Sequence, residues 1–454
     1  MARALVNEEE IADRLVESGM DSAQARGKGR GFMRALASLD AVGDPSACDP
    51  YRLFVPGRVE VLGKHTDYAG GRSLLATVER GFCIVARARR DEKVRIVDAS
   101  GGDTTSFAVQ PGLSPTVGHW SNYPMTVARR MARNFPGPLR GADIAFVSDL
   151  PPAAGMSSSS AMITGVFTVL SRVNRLMERE EYTSNISSPE TLAGYLATIE
   201  NGRNFGSLAG DRGAGTFGGS EDHTAICCCR PGQLHLFAFC PVRLEQIIVF
   251  PAGYVLAIAA SGVWAEKTGA AMAKYNRASG LVSALLELWQ AETGRNDRCL
   301  ADALSSADDA GVRLRRIAAT CPHARFDSAA LLGRLEQFRY ENERIIPAAA
   351  RALACGAMDE FGRLVDLSQH CAEDLLGNQI PQTISLAGSA RQCGAAAASA
   401  FGAGFGGSVW ALARADAAEK FLAAWADRYR SEFPAETPRC CFFLSGAGPG
   451  MIEL

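Results

Sequence analysis

Apolar and polar positions alternate with period two over 142–147, the pattern of a half-buried strand. A polar turn follows, and then an apolar helical pattern over 161–177. The same reading predicts helices over 8–19 and 21–39, a loop at 43–48 and a short strand at 51–55. Further strands are expected at 73–78, 81–89, 93–98 and 104–109, with the charged turn Arg90-Asp91-Glu92 joining 81–89 to 93–98 as a hairpin. Helices follow at 122–134 and 189–201, then a glycine-dense loop over 202–219 that enters a strand-like run at 222–229. Strands at 233–239, 246–249 and 254–260 precede long helical patterns from 266 to 377. The end of the chain reads as a strand at 408–413, a helix at 416–429 and a last strand at 440–444.

This mixture is an α+β class with two mixed lobes. The change of character near 251–254 divides the chain into an expected N-terminal lobe, 1–250, and a C-terminal lobe, 251–454. At 454 residues, two or three domains are the natural expectation. A net charge of -2 points to neither nucleic acid nor an anionic membrane surface as a partner. No apolar run reaches the ~20 residues that span a bilayer. The thirteen cysteines are an odd number, and Cys83, Cys227, Cys228, Cys229, Cys240, Cys440 and Cys441 lie in strand-like or helix-like stretches. That usage predicts reduced thiols in a cytoplasm; no C-x-x-C pair accompanies the triplet to suggest zinc. The oligomeric state is left open.

Chemistry concentrates in three glycine-rich segments. In the second, Pro151 to Met162, a strand leads through Gly155-Met156-Ser157-Ser158-Ser159-Ser160 into a helix. That arrangement presents free backbone N–H groups, with the helix dipole behind them, to a phosphate. The first segment, Pro56 to Gly71, packs Arg58, Glu60, Lys64, His65 and Asp67 between glycines. The third, Gly402-Ala403-Gly404-Phe405-Gly406-Gly407, is followed by a strand. A dinucleotide fingerprint needs a helix there, so that reading is set aside.

Together the segments resemble the galactokinase branch of the GHMP kinase superfamily. Gly57-Arg58-Val59…Gly63-Lys64-His65-Thr66-Asp67-Tyr68…Gly70-Gly71 is similar to the galactokinase signature. Pro152…Gly155-Met156-Ser157-Ser158-Ser159-Ser160-Ala161 is similar to the superfamily's phosphate loop, and 402–407 to its carboxy-terminal glycine motif. The resemblance implies a two-lobed fold with the active site in the cleft between lobes. It also implies Mg²⁺-ATP as donor and the anomeric C1 hydroxyl of galactose or a galactose-like sugar as acceptor.

Residue by residue, the resemblance implies that Gly155, Met156, Ser157, Ser158 and Ser159 hold the ATP phosphates, with Gly404 and Gly406 beside them. Ser159, with Ser158 close behind, and Glu200 would ligate magnesium. Glu200's alternative is a solvated helix-end carboxylate. Asp222 would handle the proton of the sugar hydroxyl, with Glu221 as its adjacent rival. Arg58 would lower that carboxylate's pKa and stabilise developing charge. His65, Asp67 and, by a looser match, Tyr275 would line the sugar pocket. The residues around Asp222 and the length of the preceding loop depart from the family pattern.

The most informative departure is Lys64, which stands where galactokinases usually carry a glutamate directed at the sugar's C6 hydroxyl. Lysine there suits a C6 carboxylate, which makes a galacturonate-type 1-kinase an alternative; with the side chain turned away to solvent, or paired with Glu60 or another carboxylate, galactose remains the substrate. A third alternative is a non-catalytic sugar and ATP sensor on the same scaffold.

Overall fold

The computed structural model describes residues 7–43, 49–115, 118–265 and 270–454. Most of the loop expected at 43–48 and the start of the helical region at 266 lie outside them. The first sheet has the strand order β12-β1-β2-β5-β3-β4, with β6 and β7 added along β2. Its strands are β1 (Tyr51–Leu62), β2 (Arg72–Ala88), β3 (Lys93–Asp98), β4 (Thr104–Ala108), β5 (Ala142–Ser148), β6 (Gln233–Ala238) and β7 (Arg243–Val249). The second sheet has the order β11-β8-β10-β9. It is formed by β8 (Tyr254–Ala260), β9 (Ala397–Phe401), β10 (Ser408–Arg414) and β11 (Cys441–Ser445). The two-residue β12 (Ile452–Glu453) returns the chain to the first sheet, beside β1.

Four sequence expectations are corrected. The strand expected at 51–55 continues to Leu62, because Val59 and Val61 alternate into the core across two irregularities of register. The two strands expected at 73–78 and 81–89 are one strand, β2. Glu79, in the gap between them, accepts hydrogen bonds from the backbone of Asp21 and Gly446. The hairpin across Arg90-Asp91-Glu92 does not pair: β5 lies between β2 and β3, antiparallel to one and parallel to the other. The run at 222–229 is a helix, Glu221–Cys228, packed through Ala225 and Ile226. Eight residues without clear period do not separate strand from helix, and the two acids at its start suit a helix N-terminus.

β9 carried no strand signal because Ala-Ala-Ser-Ala has little β preference. It is held by antiparallel pairing to β10, so the third glycine segment is the loop of a hairpin. One apolar cluster runs through both sheets, including Val59, Ile84, Phe167, Ile258 and Trp410. A second, built on Leu285, Trp289, Leu331 and Phe338, takes in Tyr68 and Ala69 from the first glycine segment. The turn Asp67–Ala69 is therefore anchored in the helices of the later half of the chain.

Candidate active site

Arg58 and Glu60 lie two residues apart on β1, and their side chains emerge on one face. They line a cleft together with His65, Asp67, Glu200, Glu221, Asp222 and Tyr275. Arg58 joins all the parts. Its Nη2 is 2.7 Å from Asp222 Oδ1, its Nε is 3.6 Å from Glu221 Oε1, and its Nη1 donates to the carbonyl of Gly155 at 2.7 Å. Burial works against its charge, yet Asp222, Glu221 and Glu60 outweigh burial and raise its pKa.

The phosphate-loop candidate leaves β5 and enters the helix Ser158–Val173. Backbone φ is positive at Ala153 (49°), Gly155 (71°) and Ser157 (62°). Left-handed residues at alternate positions curl the chain into a concave nest of N–H groups, a strained form for alanine and serine. The hydroxyl of Ser157 is buried with no hydrogen-bond partner among the described residues. The third glycine segment closes against this loop: a Cβ on Gly402 would stand 2.7 Å from the Gly155 carbonyl oxygen. Ser408 Oγ donates to the carbonyl of Ala154. Of the candidate glycines, Gly404 lies instead against Asn378 and Gly406 against Val263.

Glu200 is buried at 7% exposure, so it is not a solvated helix-end carboxylate. Thr216 Oγ1 lies 3.2 Å from its Oε1, and Ser160 Oγ lies 3.1 Å from its Oε2. The same Ser160 hydroxyl is 3.2 Å from Asp222 Oδ2. Ser160, which sequence reasoning passed over, thus stands between the two carboxylates; each helical residue turns ~100°, and that phase selects among neighbouring serines. Ser158 and Ser159 occupy the first turn of the same helix. A carboxylate among hydroxyls is the all-oxygen donor chemistry that magnesium takes, and these residues fit it.

Asp67 Oδ2 accepts the backbone N–H of Glu221 at 3.1 Å. Gly219 permits that approach, since a Cβ there would lie 2.3 Å from Asp67 Oδ2. His65 lines the cleft with both ring nitrogens engaged: Nδ1 is 2.8 Å from the Tyr68 hydroxyl and Nε2 donates to the carbonyl of Ala403 at 3.0 Å. Tyr275 packs on His65, ring centroids 5.4 Å apart.

Among the sugar-pocket candidates, Lys64 is absent from the cleft lining. It is 1% exposed, and its ammonium donates to Ser399 Oγ at 2.7 Å and Ser368 Oγ at 3.0 Å. Ser368 Oγ in turn donates a hydrogen bond to Glu341 Oε1 at 3.0 Å. The expectation that Lys64 reads a substituent at C6 is corrected accordingly: positive φ at Gly63 and His65 on either side turns the chain, and the lysine points into the second sheet. Glu60, which sequence reasoning treated only as a possible partner for Lys64, takes a place in the cleft wall.

The galactokinase galactose-binding signature matches residues 45–88. The GHMP kinase N-terminal domain matches 122–218 and its C-terminal domain 345–431. The galactokinase of Chloroflexus aurantiacus is 28% identical over 382 residues, spanning 82% of this chain and 86% of its own. That of Exiguobacterium sibiricum is 26% identical over 419 residues, spanning 89% and 94%. Lactococcus lactis galactokinase, solved in complex with galactose, superposes with a TM-score of 0.74 at 22% identity, over 92% of this chain and 98% of its own. Methanococcus jannaschii mevalonate kinase shares the fold more distantly, with a TM-score of 0.52 at 12% identity, over 88% and 99%. With its signature, both domains and the two-sheet architecture in place, the chain belongs to the galactokinase branch of the GHMP kinase superfamily and is a sugar kinase, a phosphotransferase.

Proposed function

We propose that the chain transfers the γ-phosphoryl group of ATP to the anomeric C1 hydroxyl of galactose or a close relative. The observation that carries this reading is Arg58, which ties the phosphate-loop carbonyl of Gly155 to the carboxylate of Asp222. One residue thereby sets the distance between the nucleotide side of the cleft and the sugar side. The galactokinases similar along most of the chain support galactose as the sugar.

In this reading the backbone N–H groups of 155–159 hold the phosphates, beside the loop at 402–407. The C1 hydroxyl oxygen attacks the γ-phosphorus; its new P–O bond forms as the bond to the β,γ-bridging oxygen breaks, and ADP leaves. Asp222 accepts the hydroxyl proton, while Arg58 stabilises charge on the transferring group. Asp222 suits that role better than Glu221, because Glu221 is the more buried and is held by Ser73. Glu200 and Ser159 would hold magnesium, with Ser160 and Thr216 fixing the glutamate. When bound, the ion neutralises charge on the phosphate oxygens. Asp67 and Tyr275 position the sugar, and His65 supports the wall between the sugar signature and Ala403. The lobes divide near residue 250, where the chain leaves the first sheet at β7 and enters the second at β8. Free thiols throughout the described residues suit a reducing cytoplasm.

ADP release measured over galactose, glucose, galactosamine and galacturonate, with product position read by NMR, tests the proposal. Galactose 1-phosphate is the expected product. Phosphorylation at another carbon, or ADP release indifferent to sugar, overturns it.

A further inference from the structure

Within the cleft, five carboxyl groups, those of Glu60, Asp67, Glu200, Glu221 and Asp222, face a single guanidinium, Arg58. Most have assigned partners. Asp222 has Arg58 and Ser160; Glu200 has Ser160 and Thr216; Asp67 has the Glu221 amide; Glu221 has Ser73. Glu60 is different. It is 3% exposed, it lines the cleft, and its Oε1 has no hydrogen-bond partner among the described residues. A buried polar atom left unmatched is unfavourable, and at a ligand cleft the missing partner is most simply the ligand.

We propose that Glu60 is a sugar-contacting, specificity-determining residue: its Oε1 accepts a hydrogen bond from one hydroxyl of the substrate, and with Glu221 behind it excludes sugars that carry a carboxylate. The inference rests on the sugar-kinase reading of the cleft given above and names the substrate class within it, a neutral galactose-like polyol rather than a uronic acid.

The surroundings of Glu60 support this. Glu221 lies close enough to act on Glu60, and Glu341 adds further negative charge from the later helices. The cations near it are Arg58, committed to Asp222 and Gly155, and Lys64, committed to Ser368 and Ser399. Two adjacent buried carboxyls do not both ionise readily, so the pair already holds as much negative charge as the site tolerates. Burial, the largest influence, raises Glu60 to about 7 and Glu221 well above the carboxylate range. A substrate hydroxyl donates to Glu60 without adding charge, whereas a substrate carboxylate places a third anion against the pair.

The test compares kcat/KM for galactose, its 2-, 3-, 4- and 6-deoxy analogues and galacturonate in the parent, Glu60→Met and Glu60→Gln. The parent is expected to disfavour one deoxy analogue by roughly 10-fold or more, the loss of a hydrogen bond to a charged or polar partner. That ratio should fall toward one in Glu60→Met and return in part with Glu60→Gln, whose carbonyl still accepts. Galacturonate should gain on galactose in both variants. A merely structural glutamate would lower all sugars together, and ratios unmoved in an active parent overturn the assignment alone. If Glu60→Met does not fold, the galacturonate-to-galactose ratio of Glu60→Gln decides by itself: a rise supports the assignment and no change overturns it. No turnover with any of these sugars in the parent removes the galactose reading, and this assignment with it.

Discussion

The two ends of the cleft are built from different materials. At the phosphate end the working surface is backbone: positive φ at 153, 155 and 157, the start of a helix, and a second glycine loop pressed against the first. At the sugar end it is side chain, and the side chains carry charge in an arrangement of their own, with Glu60 in the wall and Lys64 turned out of it. Backbone recognition tolerates little change of sequence, since a Cβ at Gly402 collides with the neighbouring loop. Side-chain recognition lets charge move several residues along the chain while the turn that carries it stays put.

The sharpest way to break this contrast is at the residue where the ends meet. Asp222→Asn keeps shape and removes the proposed proton acceptor. It should lower kcat by roughly 10²–10⁴ with Mg-ATP binding nearly intact. Glu200→Gln should instead raise the magnesium concentration needed for half-maximal rate. Steady-state kinetics with magnesium titrations distinguishes them, and a near-normal kcat in Asp222→Asn would move the proton to Glu221 or leave positioning alone at work.

Lys64 gives the next largest effect, in stability rather than specificity. Its ammonium is buried against Ser368 and Ser399, near Glu60. Lys64→Met removes these hydrogen bonds and leaves the carboxyl cluster without that cation. Urea unfolding should show a loss of about 1.5–3 kcal/mol, the scale for hydrogen bonds to a charged group. The galactose-to-galacturonate ratio should stay within about 2-fold, well under the ~10-fold of a lost charge-assisted contact. A large move in that ratio with unchanged stability would return the lysine to the sugar.

Gly155→Val probes the backbone end. The site has room for a Cβ, whose nearest neighbour would be the Phe401 carbonyl oxygen at 3.5 Å, but φ is +71°. A β-branched residue there should cost about 1–2 kcal/mol of stability. As the nest loses its form, ATP affinity should fall by roughly 10- to 100-fold. Calorimetry reads both. Unchanged affinity would reduce the loop to an ordinary helix cap.

These residues also mark where the sequence was legible. Arg58 and Gly155 sit in segments whose residue types state their chemistry, Asp222 was picked out by family resemblance alone, and the structure brings all three together. The phase of Ser160 over Ser159 was not legible because four serines in a row look alike until the helix start is known. The direction of Lys64 was hidden for a different reason. Its partners lie 304 and 335 residues away, and the reversal of the chain at Gly63 and His65 ends the strand alternation that places Arg58 and Glu60. The helix at Glu221–Cys228 was missed because a short apolar run has no period to read.

The smallest expected effect is the pH dependence of stability that the sugar end alone should show. Burial raises Glu60 from an ordinary 4.5 to about 7, against the pull of Arg58 and Lys64. Between those values the folded chain binds more protons at Glu60 than the unfolded chain does. Stability from this group is therefore fully present below about pH 4.5 and is lost as pH rises through about 7. Glu221, raised for the same cause, acts in the same direction. Asp211, lowered despite its burial by Arg129, works the opposite way at lower pH, but it does so equally in parent and variant and cancels in their difference. Glu60→Gln cannot titrate. Urea unfolding free energies at pH 5 and pH 8 should show the parent losing more stability than the variant as pH rises across this range. Parallel losses would mean that Arg58 and Lys64 hold Glu60 ionised across this range, and the sugar end would then be a set of ion pairs like any other. A steeper loss in the parent keeps the distinction between a backbone end indifferent to pH and a carboxyl end that is not.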